Sequence, residues 1–168
     1  MKTISENRLT FEFSEDFDVI KYDKTHFFQK RFNKISSGIK AVDIIAVNNS
    51  TTYLIEVKDY THPGTRSEEV NLVGILIQKV LSTLSALMPM KNNAYSNDEK
   101  NIAGKALMAN KIVVVLHIEI PPYTKKIKQS FLKLDNLQID LKRKIKPIDP
   151  HPKIVSKNKM GSLPWKVY

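Results

Sequence analysis

Cysteine is missing from this 168-residue chain. That excludes a disulfide framework and thiolate metal sites, and it makes a reducing cytoplasm the natural setting. Long hydrophobic runs are lacking too: none approaches the ~18–20 apolar residues needed to cross a bilayer. The opening MKTISENRLTFEFSED carries acids early and has no apolar stretch of signal-peptide length. A soluble, cytoplasmic protein with no membrane partner is the expectation. Acid is scarce at one end: residues 120–168 hold 3 Asp against 12 Lys/Arg, whereas residues 1–119 hold 14 acids against 15 bases. Such asymmetry predicts either a surface facing a polyanion or a solvated Lys-rich face, and charge alone does not separate them.

What is present is a globular composition. Hydrophobic residues make up 42% of the chain and glycine only 5 positions, enough apolar content for one domain with a sizeable core. Segments 9–13 (LTFEF) and 17–22 (FDVIKY) alternate as short strands. Segment 25–35 (THFFQKRFNKI) has helical spacing, with Asp23 or Thr25 as its cap. Strands are predicted at 40–47 and 52–58 around Asn48-Asn49-Ser50, a pair of Asn suited to a tight reversal.

A long helix is predicted from about 67 to 88, ended by Pro89. Val70, Val73, Ile77, Val80, Leu84 and Leu87 form its apolar stripe, and Asn71, Gly74, Gln78, Ser82 and Ser85 a smaller, more polar face. Residues 90–97 read as loop and 101–109 as a short helix. The apolar run 111–119 (KIVVVLHIE) reads as a strand covered on both faces. A basic helix follows over 124–144, then a short strand near 153–156. The order predicts an α/β sandwich with a mixed sheet.

Charge sits where buried strands should be apolar. In KAVDIIAVNNSTTYLIEVKDY, Asp43 interrupts the first run, and Glu56 and Lys58 the second. Residues two apart on a strand share a face, so Glu56 and Lys58 project together while Ile55 and Val57 point the other way. A hairpin at Asn48-Asn49 would bring Asp43 to the same side. Burying any of the three unpaired would cost several kcal/mol, so they need one another, water or a metal. Mg²⁺ (or Mn²⁺) suits two such carboxylates, being hard and retaining waters, and the Val57 carbonyl is a further candidate ligand. Lys58 would steady negative charge or an attacking water. The plain alternative is a structural salt bridge.

The run AVDIIAV followed by LIEVKD resembles the core of the PD-(D/E)XK nuclease superfamily. Its helix, three-stranded meander, helix and fourth strand look like the order derived for residues 25–119. The resemblance implies a restriction-endonuclease-like three-layer sandwich, a mixed central sheet flanked by helices, in a single domain over 1–168 with a basic extension from about 120. It implies a Mg²⁺-dependent nuclease with Asp43 and Glu56 as metal ligands and Lys58 as catalytic lysine. Nucleic acid is the implied partner, DNA ahead of RNA, and a homodimer the implied assembly. Many members carry a further acid in the first core helix, but residues 25–35 have none. Gln29 lies near where one would sit, and Asp23, Asp18 and Glu15 are upstream substitutes. That departure keeps an inactive nucleic-acid-binding or protein-interaction module as the alternative.

Secondary candidates are fewer. His62 and Arg66, in the loop after the motif, are candidate phosphate contacts, with an ordinary solvated loop as the rival. Gln78 and Lys79 sit on the long helix, where the superfamily often uses a polar residue; Gln78, on the small-residue face, is the candidate substrate contact, with simple surface exposure as the rival. His117 and Glu119 share a strand face, and a solvent-facing strand-end pair explains them better than a metal site. Trp165 reads as an anchor for the tail rather than a base-stacking residue.

Overall fold

The β-branched run becomes the middle of the molecule. In the computed structural model, which describes residues 1–61, 71–120 and 134–168, Lys111–Glu119 forms strand β6. It runs parallel to β5 (Thr51–Asp59) along its whole length, from Thr51 opposite Lys111 to Asp59 opposite Glu119. On the far side of β5 lies β4 (Ile44–Asn48), antiparallel, then β3 (Asp18–Lys21), also antiparallel; β7 (Lys153–Val155) joins β6 in parallel. The result is a mixed five-stranded sheet in the order β3-β4-β5-β6-β7. The β4–β5 hairpin closes with Asn48 opposite Thr51, and Asn49 takes φ +50°, a left-handed conformation that Asn tolerates better than most residues.

The sheet separates two cores. One face presents Ile44, Ala46, Ile55, Val57, Val113 and Val115 to a small antiparallel sheet of β1 (Lys2–Glu6), β2 (Leu9–Phe13) and β8 (Lys166–Val167). β1 escapes sequence reading because KTISE lies half exposed and alternates weakly. The other face presents Ile45, Val47, Leu54, Val114, Leu116 and Ile118 to helices. The fold is α/β with a mixed sheet and four helices among the described residues. The expected flanking by helices holds on that face. On the opposite face the described layer is the small sheet, because LTFEF turns Phe11 and Phe13 inward there.

The helices are α1 (His26–Lys30), α2 (Leu72–Asn93), α3 (Asn97–Met108) and α4 (Leu134–Ile145). α1 is shorter than the predicted 25–35 segment: the chain breaks at Arg31 and continues as a 3-10 turn over Phe32–Lys34. Five residues are too few for an autonomous helix, and two caps hold it. Thr25 Oγ1 accepts from Phe28 N, and the buried Glu99 of α3 accepts from His26 N at 2.8 Å.

α2 does not stop at Pro89, contrary to the sequence expectation, and residues 90–93 are helix rather than loop. Proline leaves only the Ser85 carbonyl without its helical donor. Ser85 is on the exposed side, where water can replace that bond, while Met90 and Ala94 bury the last turn. Contrary to the expectation that no segment is long and apolar enough to cross a membrane, α2 meets that test by length and composition. In this fold its apolar face, including Leu72, Val73, Leu76, Val80 and Leu87, lies in the core. The predicted start of α2 near 67 lies outside the described residues.

α3 forms with Ser96 as its cap, earlier than expected. Of the predicted basic helix, α4 carries Lys142, Arg143 and Lys144, and Asp140 pairs with the last two at 2.8 Å each. Lys125, Lys126, Lys128 and Lys133 lie outside the described residues.

Candidate active site

The hairpin register settles where the three charged strand residues go. Ile44 pairs with Ile55, so Asp43, just before β4, comes beside the 55–57 stretch of β5, the region of Glu56. Its backbone is held on both sides: Asp43 N donates to the Ile55 carbonyl at 3.1 Å, and its own carbonyl accepts from Tyr22 N at 2.8 Å. Val42 N donates to Thr83 Oγ1 on α2 at 3.2 Å, tying this corner to the helix layer. Asp43 Oδ2 accepts from Val57 N at 2.7 Å. In an extended strand the N–H and carbonyl of one residue point the same way, so the Val57 carbonyl also faces the Asp43 edge. Glu56 and Lys58 share a face with Leu54, on the helix side, and Asp43 is on that side as well.

A fourth charge completes the cluster. Lys79 Nζ of α2 lies 2.6 Å from Glu56 Oε1 and 3.6 Å from Asp43 Oδ1. Lys58 Nζ is farther from Glu56 Oε1, at 3.7 Å. The shorter and better-oriented contact to Glu56 is therefore made by a residue the sequence reading passed over in favour of its neighbour. Gln78 is exposed and is not part of the cluster. The signal was present, since Lys79 sits three residues after Leu76 and four before Thr83, both buried. A cation on a buried stripe requires an anion, and Asp43 and Glu56 are the anions that interrupt the adjoining strands.

Burial grades the four groups. The Glu56 side chain is only 1% exposed, against 13% for Asp43, 16% for Lys79 and 20% for Lys58, so the site opens on the lysine side. Burial, joined by the charge of Asp43, pushes the Glu56 carboxyl up to about 7, against the pull of Lys79 and Lys58. Asp43 is raised as well, by burial first, with Lys79 and the Val57 N–H opposing. Glu6 of β1 and Asp23 add to the rise in Asp43, which places both acids within electrostatic reach. Of the upstream acids considered from sequence, Asp23 is thus near the cluster. Asp18 pairs instead with Lys105 at 2.6 Å, and Glu15 with the N-terminal amine. Gln29 donates to the Asp23 carbonyl at 3.3 Å. His62 and Arg66 lie outside the described residues.

The raised Glu56 carboxyl has a thermodynamic consequence with a definite sign. The folded state binds its proton more tightly than the unfolded chain, so the contribution of Glu56 to stability is full below about pH 4.5 and is lost as pH rises through about 7. For one buried carboxyl the decline is on the order of 3 kcal/mol. His117 works the other way: burial lowers its pKa, so its share of stability is full above 6.5 and is lost as pH falls below that toward its folded value. Thermal melts of the metal-free protein from pH 5 to 8 should therefore show wild type losing more stability than Glu56→Gln toward the alkaline end. Parallel profiles would mean Glu56 is ordinarily ionised.

Two acidic ligands suit a hard divalent ion that keeps several waters. The structure fits that chemistry at one atom in particular: Glu56 Oε2 is buried without a hydrogen-bond partner among the described residues, and Asp43 Oδ1 has the ammonium only at 3.6 Å. Among the described residues no cluster of three or more His, Asp or Glu is placed to hold a metal, so the carboxylates offered are Asp43 and Glu56.

His117 and Glu119 do not face solvent as a strand-end pair. Both are buried, with His117 Nε2 2.8 Å from Glu119 Oε1, which also accepts from Lys157 N at 2.6 Å. His117 packs edge-on against Phe11, on the small-sheet side and away from Asp43 and Glu56. The pair clips the C-terminal segment to β6. Trp165 is buried as an anchor among Phe13, Phe17 and Tyr53.

No family model and no solved structure matches the chain. The chain is similar to a cysteine–tRNA ligase of Neisseria meningitidis serogroup A, with 33% identity over 210 aligned positions. That alignment covers 99% of this chain and 30% of the ligase, so the chain spans under a third of its relative's length.

Proposed function

We propose that the chain is a restriction-endonuclease-like, PD-(D/E)XK-type domain that hydrolyses phosphodiester bonds of nucleic acid with Mg²⁺ or Mn²⁺. The observation that carries this reading is the convergence of Asp43, Glu56 and Lys58 on one sheet face, at a partly open edge. Asp43, Glu56 and the Val57 carbonyl would hold the ion. When bound, it would polarise the phosphate and lower the pKa of a coordinated water. Lys58, at the more exposed end, would balance the negative charge that grows as the phosphodiester is displaced. The Val57 N–H fixes Asp43 by its Oδ2 and leaves Oδ1 for the ion.

The basic surplus in residues 120–168 suits a polyanion of either kind, and its phosphate contacts would make binding steeply salt-dependent. The sequence reading favours DNA. The similarity to a protein named as a tRNA ligase adds RNA to the substrates worth assaying. Cleavage of duplex and branched DNA, single-stranded RNA and tRNA transcripts, each with Mn²⁺ and with EDTA, is the direct test. Metal-dependent products that disappear in Glu56→Ala are expected.

A specific observation favours a second reading, a binding module without turnover. Lys79 already neutralises part of the carboxylate pair, and α1 carries no acid. Binding that persists in EDTA, with no product from any substrate, would establish that module and end the nuclease reading.

A further inference from the structure

The ammonium of Lys79 occupies the place a divalent ion would need. A metal bound to both carboxylates sits ~2.1 Å from its oxygen ligands. Lys79 Nζ is 2.6 Å from one of those oxygens and 3.6 Å from the other, so ion and ammonium would overlap. Two like charges at that separation, in a corner where Glu56 is 1% exposed, repel strongly.

We propose that Lys79 is a built-in counter-cation: it holds Asp43 and Glu56 together in the metal-free protein and is expelled when a divalent ion enters. This rests on the metal-site reading above. The expelled group is the side chain and not the helix. α2 is anchored by buried Leu76, Val80 and Thr83, and Thr83 Oγ1 is bonded to Val42 N. The Lys79 side chain is 16% exposed, so it is not sealed in, and a four-methylene stem can carry its head toward solvent without moving the backbone. The fit to Lys79 is also incomplete, since among the described residues Glu56 Oε2 has no hydrogen-bond partner while Lys79 engages Oε1. An ion reaching both acids would relieve that deficit. Metal loading and release of an amine toward the substrate side are then a single event, and metal affinity is set by competition with a tethered cation.

The test is Mn²⁺ binding to the full chain, read from the free-ion EPR signal, for wild type, Lys79→Met and Glu56→Gln. Removing the tethered competitor should tighten Mn²⁺ binding at least ~tenfold, and Glu56→Gln should abolish it. Equal or weaker binding in Lys79→Met, with Glu56→Gln still defective, overturns the displacement and leaves the metal site standing. Mn²⁺ binding that is absent or insensitive to Glu56→Gln overturns the metal site and this inference with it. Should Lys79→Met fail to fold, wild type decides by amine acetylation read peptide by peptide. Lys79 should react several-fold faster in saturating Mg²⁺ than in EDTA, with Lys105, paired to Asp18, as the unchanged reference. Equal Lys79 reactivity in the two conditions overturns the displacement.

Discussion

Glu56→Ala and Lys58→Ala are each expected to fold as wild type does and to lose metal-dependent cleavage by ~10²–10⁴-fold, typical of a positioned charge or proton-transfer group removed from an active site. The two losses arise differently. On the proposed reading Glu56 would be the buried ligand, so its removal should reduce metal affinity together with turnover. Lys58 is the more exposed of the pair and stands one side-chain repeat further along the same strand face. Its removal should lower kcat while Mn²⁺ binding persists. Circular dichroism and melting curves establish folding, and cleavage at saturating Mn²⁺ reads the effect. Undiminished cleavage by both variants would move the chemistry elsewhere in the molecule.

Trp165→Ala should be among the most damaging single changes to stability outside the site. The ring is buried against Phe13, Phe17 and Tyr53, with centroids 5.0–6.3 Å apart. Truncating a buried Trp costs about 3–5 kcal/mol, which for a domain of this size lowers Tm by about 6–20 °C. The loss should also loosen the tail, because Lys166–Val167 is the strand that pairs with β2. Trp165→Phe should be much milder. The indole Nε1 is buried without a hydrogen-bond partner, so exchanging it for a ring without that donor removes an unsatisfied group along with some contact area. Equal destabilisation by Ala and Phe would mean the indole nitrogen matters more than the packing.

Strands with strong alternation or continuous apolar character were legible before any coordinates. LTFEF and KIVVVLHIE form strands over the residues the pattern gives, because burial on one face or both leaves a period that little else imitates. The approach of Asp43 to the region of Glu56 was legible as well, since a short Asn-containing turn fixes hairpin register. Elements whose stability comes from distant partners were not. α1 breaks after five residues and depends on Glu99, which lies 73 positions away from His26. α2 passes through Pro89 because tertiary burial of Met90 and Ala94 outweighs one missing hydrogen bond on the solvent side.

Within the candidate site the strand residues were accessible to period-two reasoning, whereas Lys79 required knowing which face of α2 meets the sheet. The polar stripe at Asn71, Gly74, Gln78, Ser82 and Ser85 suggested the wrong face. The buried positions are Leu72, Leu76, Thr83 and their neighbours, and Lys79 belongs with those. Glu6 was missed for a related reason: it ends a strand with too weak an alternation to be read.

The most direct measurement is a crystal soaked in Mn²⁺, with data collected at the manganese absorption edge. An anomalous peak between the Asp43 and Glu56 carboxylates, about 2.2 Å from an oxygen of each and with Lys79 turned away, is the expected result. A crystal that takes up no manganese there, with Lys79 still bridging the two acids at millimolar metal, would contradict a divalent-cation site and leave the cluster a structural ion pair.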